Sequence, residues 1–307
     1  IKDGIVFPLI FEVYKPKQRL KLDDNYQSKP QIAARLVKEL VRLGLVIKRV
    51  LADSLYGESS TNLIGVLERL NLQFMVSIRS NHGVWMLKTE KVRQNKWRKF
   101  ERVFSDGHTE TRYVSEVIFG HRRSYTYWYV TTDPETLPEN STSFVMTNIP
   151  GVSYQDIGNI YGLRTWVEYG FKQCKSELGW ADFTLTKYAD IAKWWELICC
   201  SFLLISSLAS SPQPSKPIQL STCQTELESY LAAHSDWQQK AGWKSMLNNI
   251  QLLLVPLLAF NLVKPWLRVF NNPLLVSSFL TLISLVSLCA NAFLNRDLTT
   301  IHSFSSA

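Results

Sequence analysis

VIKRVLADSLYG, residues 46–57, is the stretch on which the fold turns. Val46 to Ala52 make a short apolar run rich in β-branched residues, the pattern of a buried strand. The run stops at Asp53, and Ser54-Leu55-Tyr56-Gly57 has the chemistry of a turn. Upstream, Ser28-Lys29-Pro30 signals a helix start. Ile32, Leu36, Leu40, Val41 and Leu43 then recur at helical intervals, and Gly44 ends the run. Downstream, a second helix is expected over about residues 59–70, and a strand from Phe74 to Ile78. IVFPLIFEVY, Ile5–Tyr14, reads as a further strand at the front. Strand, helix, strand, helix, strand predicts an α/β core with a parallel portion.

The pattern changes at Arg79. As far as about Thr142 the residues are polar, aromatic and basic, and VSEVIFG and SYTYWYVTT alternate as antiparallel strands do. SFVMTN, Ser143–Asn148, returns to an apolar strand. A long helix is expected from roughly Ile157 to Leu178, and the chain from Trp180 onward reads as helical with a Ser/Pro-rich linker at Ser210–Pro217. The expected division is therefore residues 1–79 as a first part of the core, 80–142 as a β-rich insertion, 143–200 as the second part of the core, and 201–307 as a helical C-terminal region.

Of 307 residues, 46% are hydrophobic and 20% charged, which excludes global disorder and a disulfide-stapled miniature fold. A net charge of +8 favours a polyanionic partner. Five cysteines with no CxxC pair point to a reducing, cytoplasmic setting. No HExxH, GxSxG or GxxxxGK occurs, so zincins, hydrolase triads and P-loop enzymes have no support. Pro273–Leu294 has no charge and is long enough to cross a bilayer. Several Ser and Thr dilute it, Lys264-Pro265-Trp266 interrupts the apolar pattern before it, and no basic cluster orients it. A packed helix is the expectation, with a membrane anchor as the alternative.

The densest chemistry lies in YGLRTWVEYGFKQCK, residues 161–175. On a continuous helix at about 100° per residue, Tyr161, Arg164, Glu168 and Lys175 fall within roughly 60° of one another, and Lys172 joins the stripe. The plain alternative is a solvated face, since an i,i+4 Arg–Glu pair contributes only about 0.3–0.5 kcal/mol. Asp53 after a buried strand is likewise often only a turn residue. Together they suggest more. A carboxylate at the C-terminal end of a strand and a Glu on a later helix can converge on metal, and hard oxygen ligands suit Mg²⁺ or Mn²⁺. Paired ions clamp both oxygens of a phosphodiester displacement.

Asp53 within VLADSLYG and the Y-x2-R-x3-E-x6-K run resemble the insertion-sequence transposases of the DDE superfamily, in the branch with the Tyr/Arg/Glu/Lys signature. IRSNHGVW (Ile78–Trp85) and FVMTNIP (Phe144–Pro150) are similar to bacterial, particularly cyanobacterial, members. The resemblance covers nearly the whole chain. It implies a ribonuclease H-like catalytic core interrupted by a β-rich insertion, with a helical C-terminal region. It implies Asp53 and Glu168 as catalytic metal ligands, and Tyr161, Arg164 and Lys175 as DNA-gripping residues. It implies double-stranded DNA, both transposon ends and target, as the partner, Mg²⁺ or Mn²⁺ as the cofactor, cleavage by activated water followed by strand transfer, and a homodimer acting on nucleoid DNA.

The chain departs from that pattern at the front. It opens on Ile1, and none of Asp3, Asp23 and Asp24 occupies an apolar strand, so the first of three expected carboxylates has no position. A truncated, catalytically impaired copy is the expectation, with a non-catalytic DNA-binding remnant as the alternative. In the insertion, Lys88, Lys91, Arg93, Lys96, Arg98, Lys99 and Arg102 crowd one stretch with Trp85 and Trp97 interleaved, a composition suited to backbone contact and base stacking. Trp85, Trp97 and Trp128 are the candidates for holding an unstacked base. A solvated charge run with packed tryptophans is the alternative.

Overall fold

Ser28 opens the first helix as its spelling promises. In a computed structural model, which describes residues 6–22, 24–103, 109–210, 235–236, 238, 242–270 and 272–284, α1 runs Lys29–Arg42. The Ser28 N–H and hydroxyl both meet the Gln31 amide oxygen, and Pro30 sits in the first turn, where its missing N–H costs nothing. Ile32 and Ala34 are buried, and Gly44 takes the left-handed conformation (φ +81°) that ends the helix.

The chain divides into two compact units, Leu9–Trp194 and Ile1–Pro8 with Trp195–Ala307. In the first, β1 (Arg49–Ala52) pairs in parallel with β2 (Gln73–Ile78), with Ala52 opposite Val76. The crossover holds α2 (Ser54–Gly57), a π-type turn over Ser60–Ile64 and α3 (Gly65–Arg69), where one helix over 59–70 was expected. The next strands are β3 (Val92–Gln94), β4 (Arg98–Val103), β5 (Thr109–Phe119), β6 (Thr126–Thr131) and β7 (Ser143–Thr147). The order across the sheet is β1-β2-β7-β6-β5-β3, and β4 pairs with the first half of β5. The β-rich segment therefore continues the same mixed sheet, because β6 zips onto β7 from Thr126↔Thr147 to Val130↔Ser143.

Alternation sorts the strands onto two faces. Phe74, Val76, Ile78 and Met146 pack with Ala34, Leu63, Ile64, Val66 and Leu67 on one. Met75, Val114, Trp128, Val130 and Val145 pack with Ile157 and Ile160 on the other. Those last two belong to α4 (Tyr154–Gly162), capped reciprocally by Ser153 and Asp156. Gly158 lets α4 settle on β4, since a Cβ there would lie 2.2 Å from the Phe100 ring.

Two expectations fail here. Residues 6–14 join no strand ladder, and Leu9 is 60% exposed. The β-branched composition reported propensity, but Pro8 has no N–H to give a ladder and no described strand pairs along the outer side of β1. The long helix expected over 157–178 is broken at Leu163 into α4 and α5 (Arg164–Ser176).

In the second unit, α6 (Tyr188–Ser210), which begins in the first, buries Ile198, Phe202 and Ile205 at i, i+4 and i+7. α7 (Trp243–Val269) continues through Lys264-Pro265-Trp266, where the apolar pattern breaks, and Trp243 lies 5.3 Å from Phe202 ring to ring. α8 follows as Pro273–Ser284, while the rest of the uncharged stretch to Leu294 and the linker beyond Ser210 lie outside the described residues. Tyr188–Ala209 and Trp243–Val269 are long and apolar enough to cross a membrane by length and composition, a test that packed core helices also pass.

Candidate functional site

Asp53 ends β1 and caps α2, its carboxylate accepting the Leu55 N–H at 3.0 Å while its carbonyl accepts Tyr56 and Gly57. The side chain is exposed at the carboxyl end of the parallel pair, where α/β sheets gather ligands. Burial, and then the Asp53 charge, push the Tyr56 hydroxyl above its ordinary pKa. The turn is held against β2 from behind. Gly57 packs flush on Ser77, and Glu58 accepts the Arg79 N–H at 2.7 Å and pairs with His82 Nδ1 at 3.0 Å. Burial opposes the charge on Glu58, but the Arg79 N–H and the His82 ring outweigh it and hold the carboxyl below the usual range. Glu58 thus ties the Asp53 turn to IRSNHG, a link that sequence reasoning missed.

The helix break sets the rest. Leu163 donates to the Ile160 carbonyl at 3.0 Å, a tight turn that shifts the phase between Tyr161 and Arg164. Tyr161 is half-buried against the core on α4. Arg164 opens α5 with its guanidinium 5.6 Å from the Tyr161 ring centre and 2.6 Å from a Glu168 carboxylate oxygen. Its Nε is buried and has no acceptor among the described residues. Glu168, Lys172 and Lys175 stand exposed along α5. The structure therefore joins Tyr161, Arg164 and Glu168 through Arg164, although not as a stripe on one continuous helix. Among the described residues no hydrogen bond or ion pair links Asp53 to Glu168.

Arg102 holds the break in place. It reaches from β4 to donate to the Gly162 carbonyl and the Thr165 hydroxyl, both at 2.9 Å. Burial, and then the charge of Arg112, lower its pKa. Counted in sequence as one of a basic run, it is a structural clamp. The signal was available, since Arg102 stands two residues from Phe100 on the inward side of β4. Arg102→Met, which keeps bulk and removes both hydrogen bonds, is expected to cost about 2 kcal/mol in urea unfolding.

The other basic residues are presented outward. Lys88, Lys91, Arg93, Lys96, Arg98 and Lys99 are exposed, with Lys99 paired to Glu101 at 3.1 Å. Trp85 is 73% exposed on a loop whose carbonyl at that residue accepts Arg123 at 2.7 Å. Trp97 stacks on Tyr129 at 6.2 Å. Trp128 is only 8% exposed, its Nε1 donating to Thr126, and its ring packs in the core.

Asp53 and Glu168 offer oxygen donors of the kind that Mg²⁺ or Mn²⁺ prefers. Among the described residues no group of three His, Cys, Asp and Glu gathers for a metal, and Arg164 already holds Glu168. Asp24 pairs with Lys15 at 2.8 Å, while Asp3 and Asp23 lie outside the described residues. The two acids as arranged do not by themselves complete a metal site.

Comparison with known proteins places this geometry. The family model described as "Transposase DDE domain" matches residues 20–204. A curated relative from Microchaete diplosiphon, described as "Probable transposase for insertion sequence element IS701", is 55% identical over 188 residues, covering 61% of this chain and 50% of the relative. The chain thus spans about half the length of the curated relative it matches. With well over half its residues inside that family model, and with an α/β sheet of the ribonuclease H-like kind, the chain belongs to the DDE transposases of insertion sequences.

Proposed function

We propose that the chain binds double-stranded transposon DNA through α5 and derives from an enzyme of metal-dependent DNA cleavage and strand transfer. The observation that carries the reading is the Tyr161–Arg164–Glu168 cluster, whose cation sits on an aromatic ring with one nitrogen unpartnered, followed by Lys172 and Lys175 along one helix. Cations in such a row neutralise successive backbone phosphates. Mg²⁺ or Mn²⁺ would be held by Asp53, Glu168 and a further carboxylate, and would polarise the scissile phosphate. Arg164 orients Glu168, and Glu58 steadies the turn that presents Asp53. The active form is a homodimer working on DNA in the cytoplasm, without a membrane role.

On this reading Asp53 and Glu168 fill two of three acidic roles, and the chain is a catalytically impaired copy that keeps its grip on DNA. Arg164→Gln with Lys175→Glu is expected to weaken duplex binding about tenfold and to lower the salt slope by about 1.8, two phosphates at about 0.9 each. Unchanged affinity in fluorescence anisotropy removes α5 as the DNA face. The purified chain, given Mg²⁺ or Mn²⁺ and end-bearing DNA, is expected to bind without joining strands. A strand-transfer product on a gel overturns the impairment.

A further inference from the structure

On the sheet face that carries Trp128 and Val114, a groove of about 880 Å³ opens beside α4. Lys96 and Arg98 bound it at the start of β4, Arg122 and Arg123 ahead of β6, and the Asn148–Tyr154 segment ahead of α4. The groove lining nearest to Asp53 across the sheet, Asn148 and Ile149 after β7, is two strand spacings, about 10 Å, from β1, and Asn148 accepts the Phe74 N–H toward the end of β2 away from Asp53. Arg102, which pins the α4–α5 break, stands at the far end of β4. The groove is thus apart from both acidic residues and from the α5 ridge.

Its charge is one-sided. Four cations face one carboxylate, Glu116, and that carboxylate is already held by Asn95 at 2.7 Å and Arg122 at 2.8 Å. Lys96 and Arg98 are exposed and make no ion pair among the described residues. Arg123 spends its terminal nitrogens on the Trp85 carbonyl and Glu90, yet its Nε is buried without an acceptor among the described residues. Such a lining selects an anion with several acceptor oxygens. The volume falls within the range of about 300–1,000 Å³ that encloses small ligands. A double helix, whose major groove alone is about 12 Å wide, does not enter it. Half-buried Tyr154 supplies an aromatic surface at the rim.

We propose that this groove holds a few nucleotides of unpaired DNA, with Lys96, Arg98, Arg122 and Arg123 on the phosphates and Tyr154 against a base. The proposal rests on the DNA-binding reading above but assigns a second track for a different form of DNA.

The test is anisotropy on the full chain with a labelled oligothymidine of about 12 nucleotides, a duplex of equal length and an oligouridine. Lys96→Gln with Arg98→Gln is expected to weaken oligothymidine binding about tenfold and to lower its salt slope by about 1.4, two contacts at about 0.7 each, while duplex affinity falls by clearly less. The α5 variant should show the reverse preference. Both groove positions are exposed, so an unchanged circular-dichroism melt checks the fold. Equal losses on single strand and duplex, no loss on the single strand, or tighter binding of oligouridine by the wild type overturns the proposal. If the α5 variant keeps full duplex affinity while the groove variant behaves as stated, the α5 reading fails and the groove stands.

Discussion

Trp128→Ala should lower the stability of the Leu9–Trp194 unit by about 3–5 kcal/mol, the usual cost of removing a large aromatic from a core. Trp128 stands on β6 among Met75, Phe100, Val114, Val130, Val145 and Ile157, all buried with it. Its indole N–H is satisfied by Thr126 at 2.9 Å, and only 8% of the residue is exposed, so most of the ring is packed. Trp85→Ala, by contrast, should change stability by less than about 0.5 kcal/mol, since its ring is 73% exposed. Urea unfolding of the two variants separates the roles. A Trp128→Ala protein that unfolds with wild-type midpoint yet loses DNA affinity would return Trp128 to the list of base contacts.

Gly57→Ala should cost about 3 kcal/mol, at the upper end of what overpacking a core exacts. A Cβ at this position would lie 2.0 Å from the Ser77 carbonyl oxygen. That oxygen belongs to the backbone of β2, which is bonded to β1 on one side and β7 on the other, so it has nowhere to retreat. The strain must move α2, and α2 begins at Asp53. Gly44→Ala makes the informative contrast. Nothing lies within 4 Å of a Cβ there, and only the left-handed φ of +81° is strained, at about 1–2 kcal/mol. A denaturation midpoint for Gly57→Ala above that of Gly44→Ala would contradict the close approach.

The parallel pair and its flanking helix were legible because they follow local rules. Ser28-Lys29-Pro30 and Gly44 mark both ends of α1, and the apolar run to Ala52 gives β1. What escaped depends on partners distant in sequence. Residues 6–14 have strand-like composition, but composition does not provide a neighbour to pair with. The break at Leu163 escaped because YGLRTWVEYGF keeps a helical rhythm throughout, and the clamp that stabilises the turn is Arg102, about sixty residues earlier on β4. The family signature was readable as spacing along one helix. Its physical form is different, with Tyr161 fixed in the core of α4 and Arg164 reaching back across the break to its ring.

The pairing of β2 with β7 has a consequence for synthesis. Met75 meets Thr147, 72 positions later (147 − 75). At translation rates of about 5–20 residues per second, the Phe74-Met75-Val76 run waits roughly 4–14 seconds after emerging before its second neighbour exists. All three side chains are wholly buried in the finished protein, so this is the interval in which a nascent chain most needs a chaperone to shield it.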